Sequence, residues 1–253
     1  MQRIRVIPTL LLDRGGLVKT KKFKNPIYVG DPINALRIFN EKEVDELALL
    51  DISKDRLHKP MDIGLIEEIV SEAFMPMSFG GGIQSMQRIE QLLKTGVEKV
   101  VLNTALKGGE ALIREASEQF GAQSIVASLD VRKSLLGRYN CYLNNGKEKW
   151  PGIIPSIAAQ VEKWGVGEIL LNAVDREGTY GSYDLQLIKT VSDAVSIPVI
   201  ASGGASSLAD FKQAKDHGAS AVAAGSMFVF QRPNQAVLIQ YPKQDKLIDE
   251  VFS

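Results

Sequence analysis

The chain has 253 residues, with 30 basic and 30 acidic side chains and a formal net charge of zero. A neutral chain has no global field to attract nucleic acid or an anionic membrane, so neither is expected as a partner and phosphate recognition has to be local. With one cysteine, no long apolar run and no leader, the sequence predicts one large cytoplasmic domain in which Cys141 is an ordinary surface-loop thiol.

Short aliphatic runs alternate along the chain with amphipathic segments of helical length. This alternation is typical of βα units around a parallel sheet. The predicted strands are 5–9, 46–51, 76–80, 99–103, 125–130, 168–172, 198–202 and 221–225. The first helix is predicted to begin at Asp31-Pro32, and further helices at 62–73, 84–95, 108–119, 154–165, 183–194 and 206–217.

Two connections, 12–29 and 131–150, are long for a compact scaffold, and both leave the carboxyl ends of strands. Long loops in such places are lids or disordered segments. In the first, Lys19 and the basic run 21–24 could form a lid over an anionic ligand, although a solvated charge run is the alternative for Lys21, Lys22 and Lys24. In the second, Asn144-Asn145-Gly146 predicts a hairpin turn.

The sequence repeats itself after 122 residues. The shift superposes Gly81-Gly82 on Gly203-Gly204, and it also aligns Ser85 with Ser207, Ile89 with Phe211, Leu92 with Ala214, Gly96 with Gly218, and Thr104 with Ser226. Two halves, about 1–122 and 123–253, therefore each hold four βα units. Together they predict a single α/β domain, a closed (β/α)8 TIM barrel built from two (β/α)4 half-barrel repeats.

Active sites of such barrels lie at the carboxyl ends of the strands. Glycine-rich turns and small donors end the third and fourth strands and, again, the seventh and eighth. Bare glycine backbone followed by a helix N-terminus suits a phosphate, although tight βα turns alone are the alternative. The two predicted phosphate cradles are Gly81, Gly82, Asn103 and Thr104, and Ser202, Gly203, Gly204, Gly225 and Ser226.

Acidic residues also end strands, namely Asp51 and Asp130, with Asp175 and Glu177 just beyond the sixth strand. A carboxylate at the mouth of an apolar strand is a candidate acid or base. Helix caps or loop salt bridges are the alternative, and for Asp175 and Glu177 the favoured one. His58 and His217 have no second ligand at metal spacing, so no metal is expected, nor is a cofactor.

Motifs along nearly the whole chain resemble those of the HisF family, the cyclase subunit of imidazole glycerol phosphate synthase. They are RVIP, GLVKT with Lys19, GDPI, DELALLDI with Asp51, FGGGI, KVVLNTA, SLD with Asp130, GEILLN, DREGT, VIASGGA and AAGSMF. The resemblance implies a doubly phosphorylated ligand held in the two cradles. It also implies a glutaminase docked on the N-terminal face of the barrel, from which ammonia passes through the barrel.

The family carries a ring of charges at the barrel floor that admits ammonia, and the matching residues here are Arg5, Glu46, Lys99 and Glu168. All four begin or precede predicted strands, as a floor position requires. Charge at this face more often serves stability, which remains the alternative.

One departure from the family pattern concerns catalysis. The family uses two aspartates as acid and base, and Asp130 matches the second. Where the family has Cys-Leu-Asp in the first strand, this chain has Thr9-Leu10-Leu11. Leucine cannot transfer a proton, so cyclisation is doubtful. The predicted catalytic residues are Asp130, Lys19 and Asp51.

The departure is similar to that of HisF-like paralogues from surface-polysaccharide gene clusters, which work with a glutaminase and a sugar amidotransferase. The sequence therefore favours a barrel subunit that conducts ammonia for acetamidino formation on a bacterial surface sugar, with the sugar amidotransferase as a further partner. A genuine imidazole glycerol phosphate synthase cyclase is the second hypothesis. A scaffold that binds no phosphate is the third.

Overall fold

The computed structural model describes residues 3–54, 57–59, 61–231 and 236–252. Its strands are β1 (Arg5–Asp13), β2 (Gly16–Lys21), β3 (Lys24–Gly30), β4 (Leu47–Asp51), β5 (Met77–Gly80), β6 (Lys99–Leu102), β7 (Ile125–Lys133), β8 (Tyr139–Leu143), β9 (Glu148–Trp150), β10 (Glu168–Ala173), β11 (Val199–Ser202), β12 (Ala221–Ala224), β13 (Phe230–Gln231) and β14 (Ala236–Val237).

The α-helices are α1 (Pro32–Glu41), α2 (Ile63–Ser71), α3 (Met86–Lys94), α4 (Glu110–Phe120), α5 (Ile154–Trp164), α6 (Leu185–Ser192), α7 (Leu208–Asp216), α8 (Ser226–Val229) and α9 (Gln244–Leu247). Short 3₁₀ turns cover Thr104–Leu106 and Ala122–Ser124, and a π-helical turn covers Ile248–Phe252. Within the described ranges, no helix is both long and apolar enough to cross a membrane.

Eight of the strands form a closed parallel barrel. Their order is β1, β4, β5, β6, β7, β10, β11 and β12, and β12 pairs with β1 to close the ring. Helices lie between consecutive barrel strands, as the alternating pattern predicted. The prediction of a (β/α)8 barrel is therefore confirmed, with strand ends shifted by at most four residues.

The barrel strands are buried on both faces, which explains their continuous apolar runs. One face of each strand fills the barrel interior, with Ile7, Val101 and Leu170 among the residues packed there. The opposite face joins the outer core under the helices, as the neighbours Val6 and Val100 do. The charged residues of the barrel strands are consequently concentrated at the two ends of the barrel.

Helix starts follow the predicted capping signals. Asp31 caps α1 by accepting a hydrogen bond from the backbone N of Asn34 at 2.9 Å, ahead of Pro32. Ser85 caps α3 and Ser207 caps α7, so these two aligned serines hold equivalent places.

The two long connections are not lids. In the first, β2 and β3 form an antiparallel hairpin that extends β1, with Leu12 paired to Leu17. In the second, β7 runs on to Lys133 and is joined by β8 and β9, and Asn144 and Asn145 take positive φ values in the turn between β8 and β9, as predicted. Each connection forms strands because its backbone groups pair with a barrel strand that continues past the barrel rim.

The surface assignment of Cys141 was wrong. Cys141 lies in β8 and is fully buried, because β8 and β9 fold back onto α5, where Trp150 stacks on Trp164 at 6.1 Å. Burial, together with the negative charge of Asp130, raises the pKa of the Cys141 thiol to about 12. The thiol is consequently protonated and inert near neutral pH.

Candidate functional site

Two adjoining clefts open at the carboxyl ends of the barrel strands. The first has a volume of about 110 Å³ and is lined by Gly81, Gly82, Asn103 and Thr104. The second has a volume of about 60 Å³ and is lined by Ser202, Gly203, Gly204, Gly225 and Ser226. All residues of each predicted phosphate cradle therefore lie together in one cleft.

The glycine turns have a packing function as well as an open backbone. Gly81 has φ +110° and Gly203 has φ +95°, a region that favours glycine. A Cβ on Gly81 would overlap the carbonyl oxygen of Asp51, and one on Gly203 would overlap that of Ala173. Tight turns therefore account for these glycines in part, and phosphate binding at them stays a prediction.

The N-termini of the two following helices differ. At α7 the Asp210 carboxylate accepts from the backbone N of Ser206 at 2.8 Å and of Ser207 at 3.0 Å. This capping box places a negative charge where the sequence predicted a free, positive helix end. In the first cleft α3 has no acidic residue in its first turn, and the Arg88 guanidinium donates to the carbonyl oxygen of Gly82.

Leu11 lies where the two clefts meet. With Phe23, Leu50 and Asn172 it belongs to the lining of both. It is fixed in β1 by pairing with Leu50 of β4 and Val18 of β2. The middle of the mouth is therefore apolar at the position where the family resemblance expects a carboxylate.

Asp130 lies in the first cleft and is 5 % exposed. Its carboxylate accepts from Asn103 Nδ2 at 3.3 Å and from Asn172 Nδ2 at 3.4 Å. Asn103 also accepts from the backbone N of Asn144 at 2.9 Å, so its side chain positions Asp130 and the β8–β9 turn. These contacts leave the predicted contact of Asn103 with phosphate untested.

Asp51 lies in the same cleft as Asp130. Its Oδ1 accepts from the backbone N of Ser53 at 2.8 Å, so the side chain also stabilises the turn after β4. Asp175 accepts from the backbone N of Lys133 at 2.7 Å, which is the structural role favoured from the sequence.

Lys19 is buried in β2 rather than exposed on a lid. Its ammonium donates to the backbone O of Thr9 and lies against Gly225, where an added Cβ would overlap it. Burial lowers the pKa of Lys19 to about 8, although the Glu177 carboxylate acts in the opposite direction. Lys19 therefore gives the second cleft a buried, titratable cation.

Glu177 fixes the β2–β3 hairpin over the cleft. Its carboxylate accepts from Thr20 Oγ1 at 3.0 Å and from the backbone N of Phe23 at 3.1 Å, and its backbone O accepts from Lys22 N at 3.0 Å. Burial raises the pKa of the Glu177 carboxyl above its ordinary range. Glu177 thus holds Phe23 in place above both clefts.

Sulfate binding should test the role of Lys19. Sulfate keeps its charge between pH 6 and 10, so its affinity should fall by about tenfold or more as Lys19 deprotonates above pH 8. Lys19→Met should bind weakly at every pH. Calorimetric titration of both proteins measures this, with Lys163→Met on the exposed face of α5 as the control.

The same substitution should not lower stability near neutral pH, because burying the charge costs free energy. That cost is complete below pH 8 and disappears as the pH rises towards 10.5. The stability of wild type relative to Lys19→Met should therefore increase between these two pH values. Sulfate affinity that is flat from pH 7 to 9.5, or unchanged in Lys19→Met, would contradict the assignment.

The four floor charges form a closed ring at the opposite end of the barrel. Arg5 bonds both Glu46 and, at 2.8 Å, Glu168. Lys99 bonds the same two carboxylates, at 2.9 Å from Glu46 and 3.2 Å from Glu168. The ring stabilises the floor, and its predicted use as an ammonia gate stays a prediction.

Between the floor and the mouth the barrel interior is mainly apolar. A small cavity of about 10 Å³ adjoins Glu46 and is lined by Ile7, Val101 and Ser78. Val101 also lines the first cleft, so the interior cavity and the mouth share this side chain. No group of His, Cys, Asp or Glu in the described part of the chain could hold a metal ion.

Four residues that line the clefts were not predicted from the sequence, namely Thr9, Asn172, Phe23 and Tyr180. Thr9 Oγ1 and Asn172 Oδ1 are buried without a hydrogen-bond partner among the described residues, so a ligand hydroxyl or N–H could bond there. Both residues end predicted strands, so the rule that selected Asp130 would have found them. Phe23 and Tyr180 lie in loops and carried no such signal.

Comparison with known proteins gives a consistent result. The family model described as "Histidine biosynthesis protein" matches residues 5–233. The chain is 49% identical over 248 residues to "Putative imidazole glycerol phosphate synthase subunit hisF2" of Pseudomonas aeruginosa, covering 98% of this chain and 99% of the relative. It is 37% identical over 225 residues to "Imidazole glycerol phosphate synthase subunit HisF" of Alkaliphilus metalliredigens, covering 88% and 89%.

Proposed function

Because the chain belongs to the histidine biosynthesis protein family and is a HisF family member, we propose that it is the barrel subunit of a glutamine amidotransferase. In this role it receives ammonia from a glutaminase docked on the N-terminal face. It conducts the ammonia through the barrel for acetamidino formation on a bacterial surface sugar. The bond-making step belongs to a partner sugar amidotransferase.

The observation that carries this proposal is Leu11 at the junction of the two clefts. A cyclase of the family needs a proton-transfer group there, and a leucine has none. Asp13 is the carboxylate of β1 nearest in sequence to Leu11. It pairs with Gly16 of β2 and does not line either cleft. Cyclisation would thus rest on one aspartate, Asp130.

The floor ring and the barrel interior support the part of the proposal that concerns ammonia. The floor ring is closed, and Glu46 touches both the ring and the interior cavity. The apolar interior suits a small neutral molecule and disfavours ions. These features support ammonia transport, whereas Leu11 argues against cyclisation.

The second candidate is an imidazole glycerol phosphate synthase cyclase for histidine biosynthesis. The names of the relatives favour it, and so does the presence of Asp130 in the first cleft. A scaffold without ligand is the third, and sulfate binding at the clefts would exclude it.

Reconstitution should separate the candidates. The barrel, a glutaminase and a sugar amidotransferase from the same organism are mixed with glutamine and the acetamido sugar, and the acetamidino product is followed by mass spectrometry. Omitting the barrel should abolish glutamine-dependent amidation but spare amidation driven by ammonium. Amidation that does not depend on the barrel, together with cyclisation of the histidine-pathway substrate, would favour the second candidate instead.

A further inference from the structure

A basic hairpin, residues 132–139, projects beyond the barrel mouth at the end of β7. Its tip carries Leu135 and Leu136, whose relative exposures are 107% and 85%. Asp130 lies in the first cleft, and β7 then continues only three residues further to Lys133. The tip is therefore close to the mouth and is connected to it by a continuous strand.

The tip has a defined conformation. The backbone N of Ser134 donates to Arg138 O at 2.8 Å, and Gly137 N donates back to Ser134 O at 2.9 Å. Arg138 N donates to Ser134 Oγ at 3.1 Å. The hairpin therefore presents the two leucines at the central positions of a tight turn.

Leucine has no folding advantage at these positions. Turns favour Gly, Pro, Asn, Asp and Ser because those residues fit the backbone or hydrogen-bond to it. Leu135 and Leu136 bury almost nothing in this chain, so they gain nothing from the hydrophobic effect of folding. Adjacent exposed leucines at a hydrogen-bonded turn are typical of a contact with another molecule.

Cations flank the leucines at fixed places. Arg132 lies over the ring of Tyr142 at 5.0 Å, and Lys133 lies over the ring of Tyr139 at 5.1 Å. In the described part of the chain no ion pair joins Arg132, Lys133 or Arg138 to a carboxylate. The surface that covers the tip should consequently be apolar with acidic residues around it.

A groove of about 390 Å³ continues this surface from the base of the hairpin. Its floor is apolar, formed by Val131, Ala173 and Leu187, and Lys133 and Arg176 are at its edge. Two acids also line it, but both are used internally. Asp175 accepts from Lys133 N, and Asp184 accepts from Tyr139 OH at 2.9 Å.

We propose that the basic hairpin docks the enzyme that accepts ammonia at the barrel mouth, through an apolar pocket on that enzyme bordered by carboxylates. The inference rests on the proposed function for the identity of this partner. A second copy of the chain fits less well, because a tip-to-tip contact would bring the same unpaired cations together. A membrane fits less well, because two leucines on one turn bury little surface.

The test uses the complete barrel with its glutaminase and measures binding to the sugar amidotransferase by interferometry. Leu135→Ser with Leu136→Ser should weaken binding by tenfold or more. Lys133→Glu with Arg138→Glu should also weaken it, and rising salt should do the same to wild type. Ile38→Ser, which removes an exposed apolar side chain from the outer side of α1, is the matched control and should bind as wild type.

Thermal midpoints of the hairpin variants should equal that of wild type, since the tip is exposed. Unchanged binding by the leucine variant would overturn the proposal. Two other results would also overturn it if the leucine substitutions leave amidotransferase binding unaffected. One is loss of binding to vesicles of phosphatidylglycerol and phosphatidylethanolamine, and the other is loss of self-association in sedimentation. If amidation requires the barrel but is unchanged by the hairpin substitutions, only this inference is wrong. If amidation does not require the barrel at all, the proposed function is wrong.

Discussion

A strain that lacks the HisF cyclase is expected to remain a histidine auxotroph when it expresses this chain. Leu11 occupies the junction of the two clefts, so only Asp130 remains of the two proton-transfer groups that the family resemblance implies. An acid or base of this kind contributes on the order of 10² to 10⁴ in rate. The deficit should be large enough to show as absent growth on medium without histidine.

Leu11→Asp is the informative variant. An aspartate there would share the mouth with Asp130 and Asp51, and mutual repulsion would raise the pKa of one carboxyl into a range useful for an acid. Partial growth of the variant would show that the rest of the cyclase site survives. Full rescue by the unmodified chain, expressed at the level of an authentic HisF control, would reject the amidotransferase proposal in favour of the cyclase.

The second large effect is expected at the floor ring. Lys99→Ala should strongly reduce amidation with glutamine and reduce it less with free ammonium, which can enter from the open mouth. Stability should fall only modestly, because Arg5 still bonds both Glu46 and Glu168 after Lys99 is removed. Product rates with glutamine and with ammonium measure the effect on amidation, and the thermal midpoint measures the effect on stability.

A purely structural ring predicts another result. Breaking a buried ion pair that leaves a charge unpaired costs roughly 3–5 kcal/mol. A stability loss of that size, or equal rate losses with glutamine and ammonium, would reject the gate. Arg3→Ala is the matched control, because Arg3 pairs with Asp45 at 2.7 Å outside the ring and is 62% exposed.

Much of the fold could be predicted because the relevant forces act locally in sequence. Barrel strands buried on both faces leave continuous apolar runs, and caps such as Ser85 and Ser207 mark helix starts within three residues. The cradle residues of both clefts followed from one rule about strand ends. Where that rule was applied incompletely, as at Thr9 and Asn172, residues of the site were missed.

What could not be predicted depends on contacts distant in sequence. Lys19 comes three residues after Gly16 and precedes a basic stretch, so it resembles a mobile loop residue. It is buried because the segment around Glu177, over 150 residues away, covers its hairpin. Cys141 is buried for a similar reason, since Trp150 and Trp164 bring the second hairpin down onto α5.

The pairing of β1 with β12 has a consequence for synthesis on the ribosome. Arg5 of β1 faces Ala221 of β12, so the first strand leaves the ribosome more than 200 residues before the strand that closes the barrel against it. At about 5–20 residues per second this delay is roughly 10–40 s. During that interval β1 has only one barrel neighbour, and its other edge is open to chaperones or to a neighbouring nascent chain.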